Sequence, residues 1–307
     1  MTNKIELPKI ENVKKGIDEL LLIEKWDNYK VKSSPKKFEK RFHQLFTQKL
    51  GIFPHILKIM KSEDFTFPFY RLRKETGSMN KTLISEYSYP PNNVIKNIQR
   101  ANIPYHPVFY CADSPMTAIV ETIRNEKNIN PKHNYYLSRW DLKPGLDFRV
   151  TPFLFGNLAD TSIYKTLSDD NLNQIEETLK GYSIDEINGM KKILEFLSHL
   201  FIYDNSYVVS SFIAHSYIYA KHNLRTDIFI YPSHQSDRQS VNFALHPNVV
   251  TEKLNLTKVY KLNIVDLPMD NNSCTVKVSM IGKNQDSIIY WNNVADDNKL
   301  DVEELFK

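Results

Sequence analysis

The spacing of apolar residues changes once along this chain, and that change limits the folds open to it more than any other feature. From about Asn12 to Met60, apolar side chains recur every three or four residues, as in Ile17, Leu20 and Leu21 and then Phe38, Phe42, Leu45 and Phe46, with Ser33-Ser34-Pro35 as punctuation. After Asp64 the texture becomes one of short β-like runs: Phe67 to Leu72, Val108 to Cys111, Tyr135 to Leu142, Ile228 to Tyr231, Val241 to Leu245, Lys258 to Leu267 and Thr275 to Ile281. Three helical stretches interrupt them. The first starts at Asp113-Ser114-Pro115, a capping residue followed by a proline where a helix tolerates one, and runs to about Asn125. The second covers about Ser183 to Tyr203 and buries Met190, Ile193, Leu194, Leu197, Leu200 and Phe201; the third runs from about Asn205 to Lys221. Strands and helices mixed without regular βαβ alternation predict an α+β fold. An N-terminal helical segment, residues 1–63, is expected before a larger mixed domain, residues 64–307.

Composition narrows the function. With 41% hydrophobic and 25% charged residues, the 307-residue chain has enough apolar surface for a sizeable core and is not a disordered one. No run of about 18 apolar residues exists, so no membrane span is expected. Residues 1–12 carry charges and a proline where a secretion signal needs an apolar stretch, which makes the cytoplasm the expected location. Cys111 and Cys274 have no second Cys or His at metal spacing, so they are expected to be buried thiols, neither a disulfide nor part of a zinc site. The glycines number only 8, and none falls in GxGxxG or GxxxxGK[ST], so a bound nucleotide must be held in another way. The nine histidines form no HExxH and no GxSxG turn appears, which leaves zinc and serine hydrolases little support.

The net charge of +4 conceals a gradient. Residues 25–61 hold ten Lys or Arg against Asp27 and Glu39, whereas the stretch from Asp296 to Lys307 holds five acids against two lysines. The basic stretch reads first as a solvated helix face, with an acidic partner or a nucleic-acid backbone as the other readings. Its Phe38, Phe42 and Phe46 fall on one helix stripe, which belongs in a core more readily than on a base-stacking platform.

Polar residues that could do chemistry sit where apolar ones are expected. In Phe69-Tyr70-Arg71-Leu72-Arg73, a strand puts Arg71 and Arg73 on one face, which is also what the solvent face of an edge strand would show. Arg100 lies on a loop shortly before the Val108 to Cys111 strand. Glu121 sits mid-helix, with a surface pair to Arg124 as its plain reading. Ser233 follows Pro232 at the end of an apolar strand and, with His234, opens a polar loop that ends at Asn242.

In this order, FYRLR (69–73), RANIPYHPVFYCADSPMTAIVET (100–122), SYVVSSFIAHSYIYA (206–220) and IFIYPSHQSDRQSVNFAL (228–245) resemble the RES-domain family, over about 180 residues from Phe65 to Leu245. Its members are NAD-consuming toxins related to ADP-ribosyltransferases and usually paired with Xre-type antitoxins. The resemblance implies an ADP-ribosyltransferase-like mixed sheet core with surrounding helices, NAD as substrate, and no metal. It makes Arg71 and Arg100 the family arginines, Tyr110 the strand tyrosine, Glu121 the catalytic glutamate, Ser233 the serine and Asn242 a recurring polar position. Arg73 and Tyr70 are auxiliary candidates for the diphosphate and the aromatic wall. Where family members often carry glycines before the second arginine, this chain has Ile98-Gln99; where they often carry Asp-Gly, it has Thr226-Asp227.

The implied function is a NAD-degrading toxin that cleaves the nicotinamide–ribose bond, as a glycohydrolase or phosphorylase, within a toxin–antitoxin system. A protein ADP-ribosyltransferase is one alternative; a non-catalytic nucleic-acid or partner binder acting through the basic N-terminal helices is the other. The expected partners are NAD and an antitoxin. Neither a membrane nor direct nucleic-acid contact is expected, and self-association stays open.

Overall fold

Both periodicities of the sequence reappear in the computed structural model, which describes residues 6–23, 25–29, 34–123, 132–156, 158–266 and 274–294. In chain order the regular elements are α1 (Ile10–Leu21), α2 (Pro35–Leu50), β1 (Lys58–Lys61), β2 (Phe69–Lys74), β3 (Phe109–Ala112), α3 (Pro115–Ile123), β4 (Tyr135–Leu142), β5 (Asp147–Pro152), α4 (Lys165–Thr178), α5 (Ile184–Tyr203), α6 (Val208–Ile218), β6 (Ile228–Pro232), β7 (Val241–Leu245), α7 (Pro247–Lys253), β8 (Leu254–Asp266), β9 (Thr275–Gln285) and β10 (Ile288–Asn293). Strands pair both parallel and antiparallel, and the fold is α+β. No described helix is long and apolar enough to cross a membrane. Lys30, Lys32, Arg124 and the acidic stretch from Asp296 to Lys307 lie outside the described residues.

The chain divides into two compact units. One comprises Met1–Lys58, Pro91–Pro107 and Val150–Pro232. Here the stripe Phe38, Phe42 and Phe46 is core: all three are buried and their rings lie 6.3, 4.9 and 5.8 Å from that of Phe212 on α6. The cations Lys36, Lys37, Lys40 and Arg41 take the exposed side of the same helix, α2. The N-terminal helices share a unit with α5 and α6, and the chain passes from this unit to the other between Lys58 and Ile59. Helix α5 starts with a reciprocal cap, in which Ser183 Oγ accepts from the Glu186 N–H at 3.3 Å and the Glu186 carboxylate accepts from the Ser183 N–H at 2.9 Å. The six apolar residues that the sequence assigned to this helix are all buried. Val150, Thr151 and Pro152 of β5 pair in parallel with Ile228, Phe229 and Ile230 of β6.

The other unit comprises Ile59–Pro90, Val108–Arg149 and Ser233–Lys307. Its strands run in the order β7–β3–β2–β4–β8–β9–β10, and every neighbouring pair is antiparallel. Helix α3 covers one face, burying Ala118, Ile119, Val120 and Ile123 against Tyr70, Leu72, Ala112, Leu137, Tyr260 and Leu262. Its cap is Ser114, whose Oγ accepts from the Thr117 N–H at 3.1 Å, with Pro115 as the first helical residue. Cys111 is buried on β3, Cys274 is partly buried, and both are free thiols.

Several elements carry no readable signal. Helix α4 buries only Ser168, Asn171 and Ile175, so it lacks an apolar stripe. Strand β5 ends in a proline, and β10 is reached through Asp286 and Ser287, both at positive φ without a glycine.

One close approach ties α1 to α2. A Cβ on Gly16 would lie 1.8 Å from the Lys49 carbonyl oxygen, a contact that real Cβ atoms do not make. Gly16→Ala must therefore push the two helices apart, and we expect a loss of about 1–3 kcal/mol in stability, measured by urea unfolding.

Candidate functional site

A carboxylate in the middle of α3 needs hydrogen-bond donors, and they come from the loop that follows β6. Glu121 is partly buried. Its Oε1 accepts from the Ser233 hydroxyl and, at 3.3 Å, from the Gln235 N–H. Both donors converge on one oxygen, and Oε2 takes no hydrogen bond from any described residue. Ser233 itself is fully buried. The loop holds it by closing on itself: the Ser233 N–H donates to the Ser240 carbonyl at 2.9 Å, the Arg238 N–H donates to the Ser233 carbonyl at 2.9 Å, and the Ser236 N–H donates to Ser233 Oγ at 3.2 Å. Asp237 and Arg238 take positive φ to make this turn, at 51° and 64°. The expected surface pair with Arg124 lies outside the described residues, and the partners described for Glu121 are these two donors.

The arginines of β2 lie on the opposite face of the sheet from α3. Tyr70 pairs with Ala112, and Ala112 with Asn242, across β2, β3 and β7. Strand alternation then sets Tyr70, Tyr110 and Asn242 on the face that α3 covers, and Arg71 and Arg73 on the other with Phe109 and Cys111. The Arg71 guanidinium lies 5.7 Å from the centre of the Phe109 ring and donates to the Tyr87 carbonyl at 3.3 Å. Burial, reinforced by the Arg73 charge, pushes it down to about 10, so it stays cationic at neutral pH. Burial also pushes the Cys111 thiol beside it well above its ordinary value.

The two arginines differ in how they are neutralised. Arg73 sits 3.1 Å from the Glu86 carboxylate and also donates to the Glu86 carbonyl. Among the described residues no carboxylate lies within ion-pair distance of Arg71. A partly buried cation whose partners among the described residues are one carbonyl and one ring is suited to an anion. Tyr70 and Asn242 are buried and Tyr110 is partly buried.

Arg100 belongs to the other unit, and the structure gives it a task of its own there. Its Nη1 donates to the carbonyls of Phe201 and Ile202 at 2.7 and 3.0 Å, and its guanidinium stacks over Tyr207 at 4.9 Å. Those carbonyls lie in the last turn of α5, where helix acceptors have no intrahelical partner. Asp204 serves the next helix in return, its Oδ2 accepting from the Val209 N–H at 2.9 Å. The glycines expected before Arg100 are not needed for the local turn: Gln99 and Asn102 exchange backbone hydrogen bonds at 3.1 and 3.4 Å.

Sequence reasoning missed the Gln235 N–H, the Tyr87 carbonyl and Asp204. Only Asp204 had a readable sign, as an acidic residue just before a helix start; the other two are backbone groups placed by the tertiary fold. We expect Arg100→Ala to lower stability by about 1–2 kcal/mol in urea unfolding, from the lost helix-end hydrogen bonds and ring contact.

Comparison with known proteins gives one match. No curated protein and no solved structure matches the chain. The RES domain family model matches residues 68–261, which spans β2 through most of β8 and contains Arg71, Arg100, Glu121 and Ser233. Well over half of the 307 residues are covered. The chain belongs to the RES domain family, a membership that fits an NAD-related toxin–antitoxin role at the level of the family.

Proposed function

We propose that this protein breaks the bond between nicotinamide and ribose in NAD, with Glu121 as the residue that stabilises the reacting sugar. The observation that carries this reading is the arrangement at Glu121: two donors fix one carboxylate oxygen, and the second takes no hydrogen bond from any described residue. When the C1′–N bond breaks, its electron pair passes to the ring nitrogen of nicotinamide, which leaves neutral. The ribose carbon becomes oxocarbenium-like, and an oriented carboxylate beside it stabilises that charge more than it stabilises the ground state. Water then adds at C1′ and releases a proton, or inorganic phosphate adds in its place. No general acid is required, because the leaving group carries its own positive charge beforehand.

Arg71 is the proposed ligand of the diphosphate, and the absence of a carboxylate within ion-pair distance of it among the described residues favours it over Arg73. Because Arg71 and α3 lie on opposite faces of the sheet, this reading requires the dinucleotide to reach from one face to the other. Tyr110, with Tyr70, is the proposed aromatic wall. Ser233 acts through Glu121, by holding its carboxylate, and Asn242 supplies an amide on the face of Tyr110. In this reading the protein is a cytoplasmic toxin whose partner is an antitoxin, and membranes have no part in it.

Nicotinamide release from NAD tests the chemistry. We expect Glu121→Gln and Arg71→Ala each to lose at least about a hundredfold in rate, on the order of 3 kcal/mol. Ser233→Ala should lose roughly tenfold, the worth of one charge-assisted hydrogen bond, and Arg73→Ala less than Arg71→Ala. Equal rates for the wild type and Glu121→Gln would remove the mechanism. Product analysis separates the acceptors: free ADP-ribose for water, its phosphorylated form for phosphate, and labelled protein for an ADP-ribosyltransferase. Expression of the wild type, but not of Glu121→Gln, should arrest growth, and co-expression of the product of the neighbouring gene should relieve it.

A further inference from the structure

We propose that the unit containing α4 and α5 holds a second small-molecule site, for a flat, uncharged, mostly apolar compound with a hydrogen-bond-donating N–H edge. This inference shares no residue with the Glu121 reading and stands apart from it. The site is a cavity of about 330 Å³ walled by Ile52, Ile175, Met190 and Leu194. That volume is at the lower end of small-molecule pockets, enough for one or two fused rings.

Two lining residues say what the occupant must offer. Asn171 is 4% exposed, and its Nδ2 donates to the Pro152 carbonyl at 3.2 Å. Its Oδ1 takes no hydrogen bond from any described residue. This oxygen is not among the fully buried unpartnered polar atoms, so it keeps some access as a lining group of the cavity, and it sits on a helix whose buried side is otherwise only Ser168 and Ile175. His55 is the second. Its Nε2 lies 2.7 Å from the Leu224 carbonyl, an acceptor only, so Nε2 carries the proton and Nδ1 is left as an acceptor. Burial pushes the His55 imidazole down, which keeps it neutral. Lys58, the one charged residue of the lining, is already engaged by a partner. The lining therefore combines apolar walls with two acceptors, Asn171 Oδ1 and His55 Nδ1, that take no hydrogen bond from described residues, beside the polar side chains of Gln174, Thr178 and Tyr182, and its one charged residue is already engaged.

Indole is the probe, with N-methylindole as the matched compound that lacks the donor. Added to the full chain, indole should bind saturably with a dissociation constant below about 1 mM. It should shift the methyl NMR signals of Ile175 and Leu194, and N-methylindole should bind at least fivefold more weakly. Ile175→Trp should fill the space and abolish binding without changing nicotinamide release; if that variant does not fold, the methyl shifts in the wild type decide the matter. Four results would overturn the proposal: no saturable binding, equal binding of the two compounds, stronger binding of benzoate than of indole, or a side chain of Met1–Ile5 occupying the cavity beside Leu7.

Discussion

The chemistry proposed for this protein depends on one hydrogen-bonded junction, in which the carboxylate of Glu121 meets the hydroxyl of Ser233 and the backbone of Gln235. A helix as apolar as α3 has no internal means of orienting a carboxylate at its seventh position. The donors must come from a loop whose own shape is fixed, and here the backbone bonds between Ser233, Arg238 and Ser240 fix it. Since both donors fall on a single oxygen, the geometry is asymmetric. One oxygen is held by these donors, and the other takes no hydrogen bond from any described residue.

Electrostatics separates the two arginines of β2 in the same manner. They lie on one strand face two residues apart, and the Arg73 charge adds to burial in lowering the tendency of Arg71 to hold its proton. Glu86 settles Arg73, whereas Arg71 is left with a carbonyl and the face of Phe109. An anion at Arg71 would relieve both its burial and its repulsion from Arg73, so ligand binding and local stability reinforce each other there.

How much of this was legible in the sequence depends on the range of each interaction. Strands β4 and β7 follow from short local runs rich in β-branched and aromatic residues, with the ends the sequence indicated. The caps of α3 and α5 are likewise written in neighbouring residues, at Ser114 and Ser183. The alternation of Tyr70, Arg71 and Arg73 was readable, but not which face α3 would cover, because that depends on the pairing of β2 with β3. Ser233 and Glu121 are 112 residues apart, and nothing local in either stretch announces the contact. Arg100 shows the reverse limit. A loop arginine free to point at a ligand and one that closes the end of α5, 101 residues away, look the same in sequence. Helix α4 was invisible for a third reason: its inward side presents a serine and an amide, which no hydropathy pattern separates from a loop.

The burial of Cys111 has a consequence for how the molecule meets oxidants. Its thiol is held protonated by its surroundings, and that of Cys274 is pushed up to about 11. Sulfur attacks peroxides and electrophiles as the thiolate, so both residues are poor targets at neutral pH. The Arg71 guanidinium beside Cys111 has no redox chemistry. The proposed activity would then not depend on the redox state of either thiol.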